Sequence, residues 1–210
     1  MPRPQPVAGL EPQGSILFNA ALIIPVRIAE VLAWEGPALV GATVFELHQM
    51  RIAAKRLRYT IEIFAPVLPE ESAAAIAVFK VLQDHLGTLH DMDVLIPDML
   101  RHVRDLIKEA SMDETGLAMQ SADLDSAIGL LSVCKELREE RTNRFEEFRK
   151  FWSDIREDQF FESLVNAVHR RAVDERARLA VVEAESLVHA LQDGPSNAIT
   201  RALKMGDKDE

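Results

Sequence analysis

The chain predicts an all-α fold, an antiparallel helical bundle, and three observations carry that prediction. Alternation of apolar and polar residues with period two nowhere runs beyond a few positions, which removes the half-buried strand. Apolar residues recur instead at spacings of three and four over long stretches, as on a helix with one buried face. The breaks between those stretches fall at proline, glycine and capping residues. With 210 residues, 48% apolar and 28% charged, the composition is that of a globular protein long enough to bury a core.

Taken in order, residues 1–14 (MPRPQPVAGLEPQG) are proline-rich and polar. They are expected to be disordered, and they lack the apolar centre of a signal peptide. Ser15 to Trp34 is mostly apolar, with Pro25 as a kink, and Glu35-Gly36-Pro37 ends that helix. Its longest apolar run, Ala20 to Val26, is too short to span a bilayer. Thr43 caps a long helix that reaches Ala65 and stops at Pro66. Glu70 to Leu86 reads as a further helix with Gly87 as a break or C-cap. Asp91 then opens another, running to about Glu109 with Pro97 inside it. Ser111 to Gly116 reads as a loop, Leu124 to Ile155 as a second long helix, and Gln159 to Leu191 as the last. The expected organisation is a bundle over residues 15–165, an additional C-terminal helix over 166–193 and a flexible tail over 194–210. Residues 48–58 have no second copy in the chain.

The formal net charge is −10 and the pI near 5.1. That balance gives no domain-wide positive field and argues against specific nucleic-acid binding. One stretch departs from it. HQMRIAAKRLR, residues 48–58, holds four cations and no acid. On a helix, Leu47, Met50, Ala54, Leu57, Ile61 and Phe64 form a core stripe. His48, Arg51, Lys55 and Arg58 form a second row beside it, and Arg56 points away. Like charges one turn apart repel by a few tenths of a kcal/mol per pair. Glu62 relieves only one end of the row. Carboxylates from neighbouring helices, or an anionic ligand, must neutralise the rest, and the pattern leaves both open.

Other candidate groups point to less. His48, His85 and His90 could meet Asp91 and Asp93 around a metal, but H-x₄-H does not put two imidazoles on one helix face as an i, i+4 pair does. No metal, cofactor or catalytic residue is expected. Asp91 and Asp93 read as capping or ion-pairing residues rather than a Mg²⁺ pair. Cys134, the one cysteine, sits in LLSVC and reads as core. A single thiol forms no intrachain disulfide, which suits a reducing, cytoplasmic location. Phe145, Phe148 and Trp152 read as core, and His102, His169 and His189 receive no role. No P-loop, H-E-x-x-H or nucleophile elbow occurs.

HQMRIAAKRLRYTIEIF at 48–64, followed by LQDHLGTLHDMDVL at 82–95, resembles the CHAD family, the conserved-histidine α-helical domain. ELREERTNRFEEFRKFW at 136–152 resembles the closing helix of one half of that domain more loosely. The likeness covers roughly residues 15–165. It implies a helical bundle, usually of two four-helix halves, with a basic surface that binds inorganic polyphosphate. His48, Arg51, Lys55, Arg56 and Arg58 match the signature helix, and the resemblance makes Arg51, Lys55 and Arg58 the phosphate contacts. Arginine offers phosphate a planar fork and lysine a point charge. Arg141 and Arg144, beside Phe145 and Phe148, suggest a second basic wall, though snorkelling around a core would look the same. Asp91 and Asp93 would brace Arg51 or Arg58.

Family members usually carry the signature twice, facing across a cleft, and this chain carries it once. A symmetric homodimer would present the basic helix twice. The function expected is polyphosphate binding without catalysis, with no nucleic-acid or membrane partner. The alternative is a protein-interaction module that sets the basic helix against an acidic partner. A metal-dependent phosphohydrolase ranks below both, resting on Asp91 and Asp93 alone.

Overall fold

The computed structural model describes residues 3–41, 43–111 and 121–192. Among them are five α-helices, one π-helical turn and no strand. They are α1 Ile16–Leu32, the π turn Pro37–Gly41, α2 Val44–Phe64, α3 Glu71–Ser111, α4 Ser121–Glu157 and α5 Phe160–Gln192. The fold is the all-α bundle expected from the periodicity. Residues 112–116 of the expected loop and the expected tail, 194–210, lie outside the described residues. The chain divides into two compact units, Met1–Val168 and His169–Glu210. In the first, α1 packs on α2, α2 on α3 and α3 on α4.

Local chemistry sets the starts of α1 and α2. The Ser15 hydroxyl accepts from the Leu17 and Phe18 amides at 3.1 and 3.3 Å, satisfying two of the amides a helix start leaves open. Thr43 and Glu46 form a reciprocal capping box at the head of α2. The segment before α1, expected to be disordered, hydrogen-bonds to that helix: Asn19 and the Glu11 backbone exchange two bonds, and Arg27 donates to the Gln5 carbonyl.

Two expectations change. The apolar N-terminal stretch is longer than the run Ala20–Val26 suggests. Residues Ile16–Gly41 are long and apolar enough to cross a membrane, their most apolar window having a mean hydropathy of 1.9. Six of the α1 side chains in that span are buried: Leu17, Ala20, Ala21, Ile24, Ile28 and Val31. The second change is the break expected at Gly87. The helix α3 runs without interruption through Gly87 and Pro97. A mid-helix glycine costs about 1 kcal/mol against alanine. Across that position Leu82, Leu86, Leu89, Ile96 and Val103 are all buried on one face. Burying each such side chain is worth about 1.5–3 kcal/mol, so packing overrides the local signal.

The core of the first unit is aromatic towards the end of α4. Phe79, Phe148, Trp152 and Phe161 are almost fully buried, with ring centroids 5.6 Å apart for Trp152–Phe161 and 6.3 Å for Phe148–Trp152. The Trp152 indole donates to Glu35 at 2.8 Å, and Arg156 reaches the same carboxylate at 3.1 Å. Cys134 is buried, as expected.

Candidate functional site: a groove between α2 and α3

The core stripe of α2 is buried as the periodicity predicts, with Leu47, Met50, Ala54, Leu57 and Ile61 inside and Phe64 half-buried. That burial fixes the rotation of the helix. The basic row is thereby carried to one edge of the α2–α3 contact, where a groove of about 520 Å³ opens. Arg51, Lys55, Arg58 and Tyr59 form its α2 wall; Gln83, Asp84, Gly87, Thr88 and Asp91 form its α3 wall. The α3 residues lie at i, i+1, i+4, i+5 and i+8, one face of that helix. Gln83 Nε2 donates to the Ala54 carbonyl at 3.3 Å and ties the two walls together.

The cations in the groove are weakly compensated. Arg58 lies 3.6 Å from Glu62, the one end of the row that the sequence assigned to that residue. No ion pair within 4 Å holds Arg51 or Lys55 among the described residues. The Arg58 guanidinium stacks over the Tyr59 ring at 4.8 Å and the Lys55 ammonium lies 5.7 Å from the same ring. Arg58 Nε is buried and has no hydrogen-bond partner, a donor whose burial costs about 1–3 kcal/mol while it stays unmet. Arg51 and Lys55 thus stand in no ion pair, facing Asp84 and Asp91 across the groove at more than 4 Å.

His48 sits one turn before Arg51 and meets His90 of α3, with ring centroids 4.8 Å apart and planes tilted by 35°. The Nδ1 atoms of both rings are buried without partners. Burial, then His90, then the Arg51 charge lower the His48 pKa from its ordinary 6.5. His85 is elsewhere, 5.2 Å from the Phe151 ring, and burial lowers its pKa most. The three imidazoles do not converge, and no group of three or more metal-ligating residues occurs among the described residues.

Of the remaining predicted residues, Asp91 lines the groove, while His48, Arg56, Asp93, Arg141 and Arg144 lie outside its lining. Arg56 turns towards α1, where it pairs with Glu30 at 2.8 Å alongside Arg27 at 2.5 Å. Burial alone would raise the Glu30 carboxyl, but the Arg56 hydrogen bond, the Gln5 amide and the two guanidinium charges hold it lowered. Arg141 of α4 is bound by the Asp93 carboxylate through Nε at 2.5 Å and Nη2 at 3.3 Å. The Asp93 side chain is 5% exposed. The expectation that Asp93 braces Arg51 or Arg58 is therefore corrected: it points to α4. Asp91 does line the groove, yet it makes no ion pair with Arg51 or Arg58 within 4 Å. Arg144 is exposed and held between Glu140 and Glu147 on its own helix, so Arg141 and Arg144 form no second wall of this groove.

Sequence reasoning missed Tyr59, Gln83, Asp84, Gly87 and Thr88 as groove residues. The signal was present in LQDHLGTLHD, where Asp84, Thr88 and Asp91 recur at spacings of four and three.

The CHAD domain family model matches residues 27–97, from the end of α1 through all of α2 to the middle of α3. That span is about a third of the chain. It holds both walls of the groove and excludes Arg141 and Arg144. No curated protein and no solved structure matches the chain. The chain's shown likeness is thus to the CHAD domain, over the segment that builds the groove.

Proposed function

We propose that the α2–α3 groove binds inorganic polyphosphate and that the chain performs no chemistry on it. The observation that carries this reading is the pair Arg51 and Lys55, two cations in a groove with no carboxylate in ion-pairing reach. Arg58 adds a third charge to the groove lining. Phosphate oxygens suit this set, because guanidinium groups take them in a planar fork and an ammonium takes them as a point charge. The resemblance to the CHAD domain, which is associated with polyphosphate-related proteins, supports the choice of polyanion. A cytoplasmic location belongs to the same reading, supported by a lone buried cysteine.

The test is fluorescence anisotropy of labelled long-chain polyphosphate, with unlabelled polyphosphate and polyglutamate as competitors at matched charge. Competition by polyphosphate with little competition by polyglutamate is the expected outcome. Equal competition by polyglutamate would give the groove to an acidic protein surface. No binding by the folded protein would end the polyphosphate reading.

A further inference from the structure

The second unit carries an apolar face that no other described residue of that unit covers. Residues 169–192 are helical. Val173, Ala177, Ala180, Ala184 and Leu187 follow one another at spacings of four, three, four and three, the repeat of a two-helix seam. Val181 and Val188 widen the stripe on one side. All seven are exposed, Val173 at 66% and Leu187 at 65%. A lone helix of this length is marginal in water and depends on packing of its apolar face. Such a stripe needs an occupant.

Charge indicates which occupant. The first half of this segment carries Arg170, Arg171, Arg176 and Arg178 against Asp174 and Glu175, a net positive charge, and the second half carries Glu183 and Glu185. Arg176 and Glu183 are both exposed. We propose that this helix pairs with the same helix of a second copy of the chain, antiparallel. In the register that sets Ala177 against Ala180 of the second copy, Val173 meets Ala184 of the second copy. Arg176 then flanks Glu183 of the second copy, and twofold symmetry repeats every one of these contacts. The alanines let the two backbones approach closely. A parallel pair would instead bring the arginine-rich halves together and set Arg176 beside Val181, with no ion pair gained. The pairing goes beyond the polyphosphate reading and stands whether or not the groove binds that ligand.

Sedimentation equilibrium of the full chain over a concentration series tests it, with helicity followed by circular dichroism. A concentration-dependent dimer is expected. Ala180→Glu should abolish it. Arg176→Glu should weaken it about tenfold or more, because two attractive pairs become repulsive. Arg176→Glu/Glu183→Arg should restore it, which a loss of folding could not mimic. A chain that stays monomeric at every concentration overturns the proposal, as does a dimer indifferent to Ala180→Glu. A monomer that co-sediments with phosphatidylglycerol vesicles through this helix would also overturn it, giving the stripe to a lipid surface.

Discussion

Neutralising two of the groove cations, Arg51→Gln/Lys55→Met, should change the salt dependence of polyphosphate binding by a calculable amount. Three cations line the groove: Arg51, Lys55 and Arg58. On a single-stranded polyanion each phosphate neutralised contributes about −0.7 to the slope of log K against log salt, so the wild-type slope should be about −2. Raising salt from about 50 to about 200 mM then weakens binding roughly twentyfold. With Arg58 alone the slope falls to about −0.7, and the same change costs roughly threefold. The assay is anisotropy titration of labelled polyphosphate at four or more salt concentrations, with the circular dichroism of the variant compared with wild type. Arg144→Gln is the control, since Arg144 is held by Glu140 and Glu147 outside the groove lining, and it should leave the slope unchanged. A folded double variant with the wild-type slope would place the phosphate contacts elsewhere and refute the assignment of this groove.

Three other substitutions probe the surroundings of the groove. Gly87 lies mid-helix on the groove wall, and a methyl group there would meet nothing within 4 Å. Gly87→Ala should therefore stabilise the fold to urea by up to about 1 kcal/mol while weakening polyphosphate binding, because the added methyl occupies ligand space; unchanged affinity would mean that the ligand does not pass this point. Asp93→Ala leaves Arg141 without its nearly buried partner. Unfolding free energy should fall by about 1.5–3 kcal/mol, the range for a lost charge-assisted hydrogen bond, since Arg141 is 23% exposed and stays solvated. Burial, His90 and Arg51 lower the His48 pKa from its ordinary 6.5. A bound polyanion favours the imidazolium, so affinity should rise as pH falls from about 7.5 to about 5.5, and His48→Gln should flatten that rise.

The sequence disclosed the parts of this structure that are written in one helix at a time. The Thr43 cap and the buried stripe from Leu47 to Ile61 depend on neighbours within a turn or two, and the local pattern reveals them. The basic row followed from that stripe, because burial of one face dictates where the adjacent face points. Gly87 shows the limit: a local breaker sat inside a stripe running from Leu82 to Val103, and only the packing of α3 on both α2 and α4 settles which prevails. Asp93 shows the same limit for charge. Asp91 and Asp93 are two residues apart, yet one faces the groove and the other takes Arg141, 48 positions away. Pairing between helices depends on their relative rotation, which no pattern within a single helix encodes.

The surplus of acid in this chain bears on how a local cationic groove can work. With ten more negative than positive charges, carboxylates are plentiful, and the structure places them against arginines elsewhere: Glu30 on Arg56, Asp93 on Arg141, Glu35 and Glu162 on Arg156. In the groove the acids Asp84 and Asp91 stand on the α3 wall, beyond ion-pairing reach of Arg51 and Lys55. The groove keeps a small local excess of positive charge while the molecule as a whole repels polyanions. Those two fields act over different ranges. At physiological salt the screening length is about 8 Å, so a phosphate inside the groove feels its walls far more than the distant exterior acids. At about 0.01 M salt the length grows to about 30 Å and the repulsion of the whole chain reaches the ligand as well. The slope predicted for the groove cations therefore belongs to the range from about 50 mM upward, where the contacts in the groove, and not the net charge, decide the affinity.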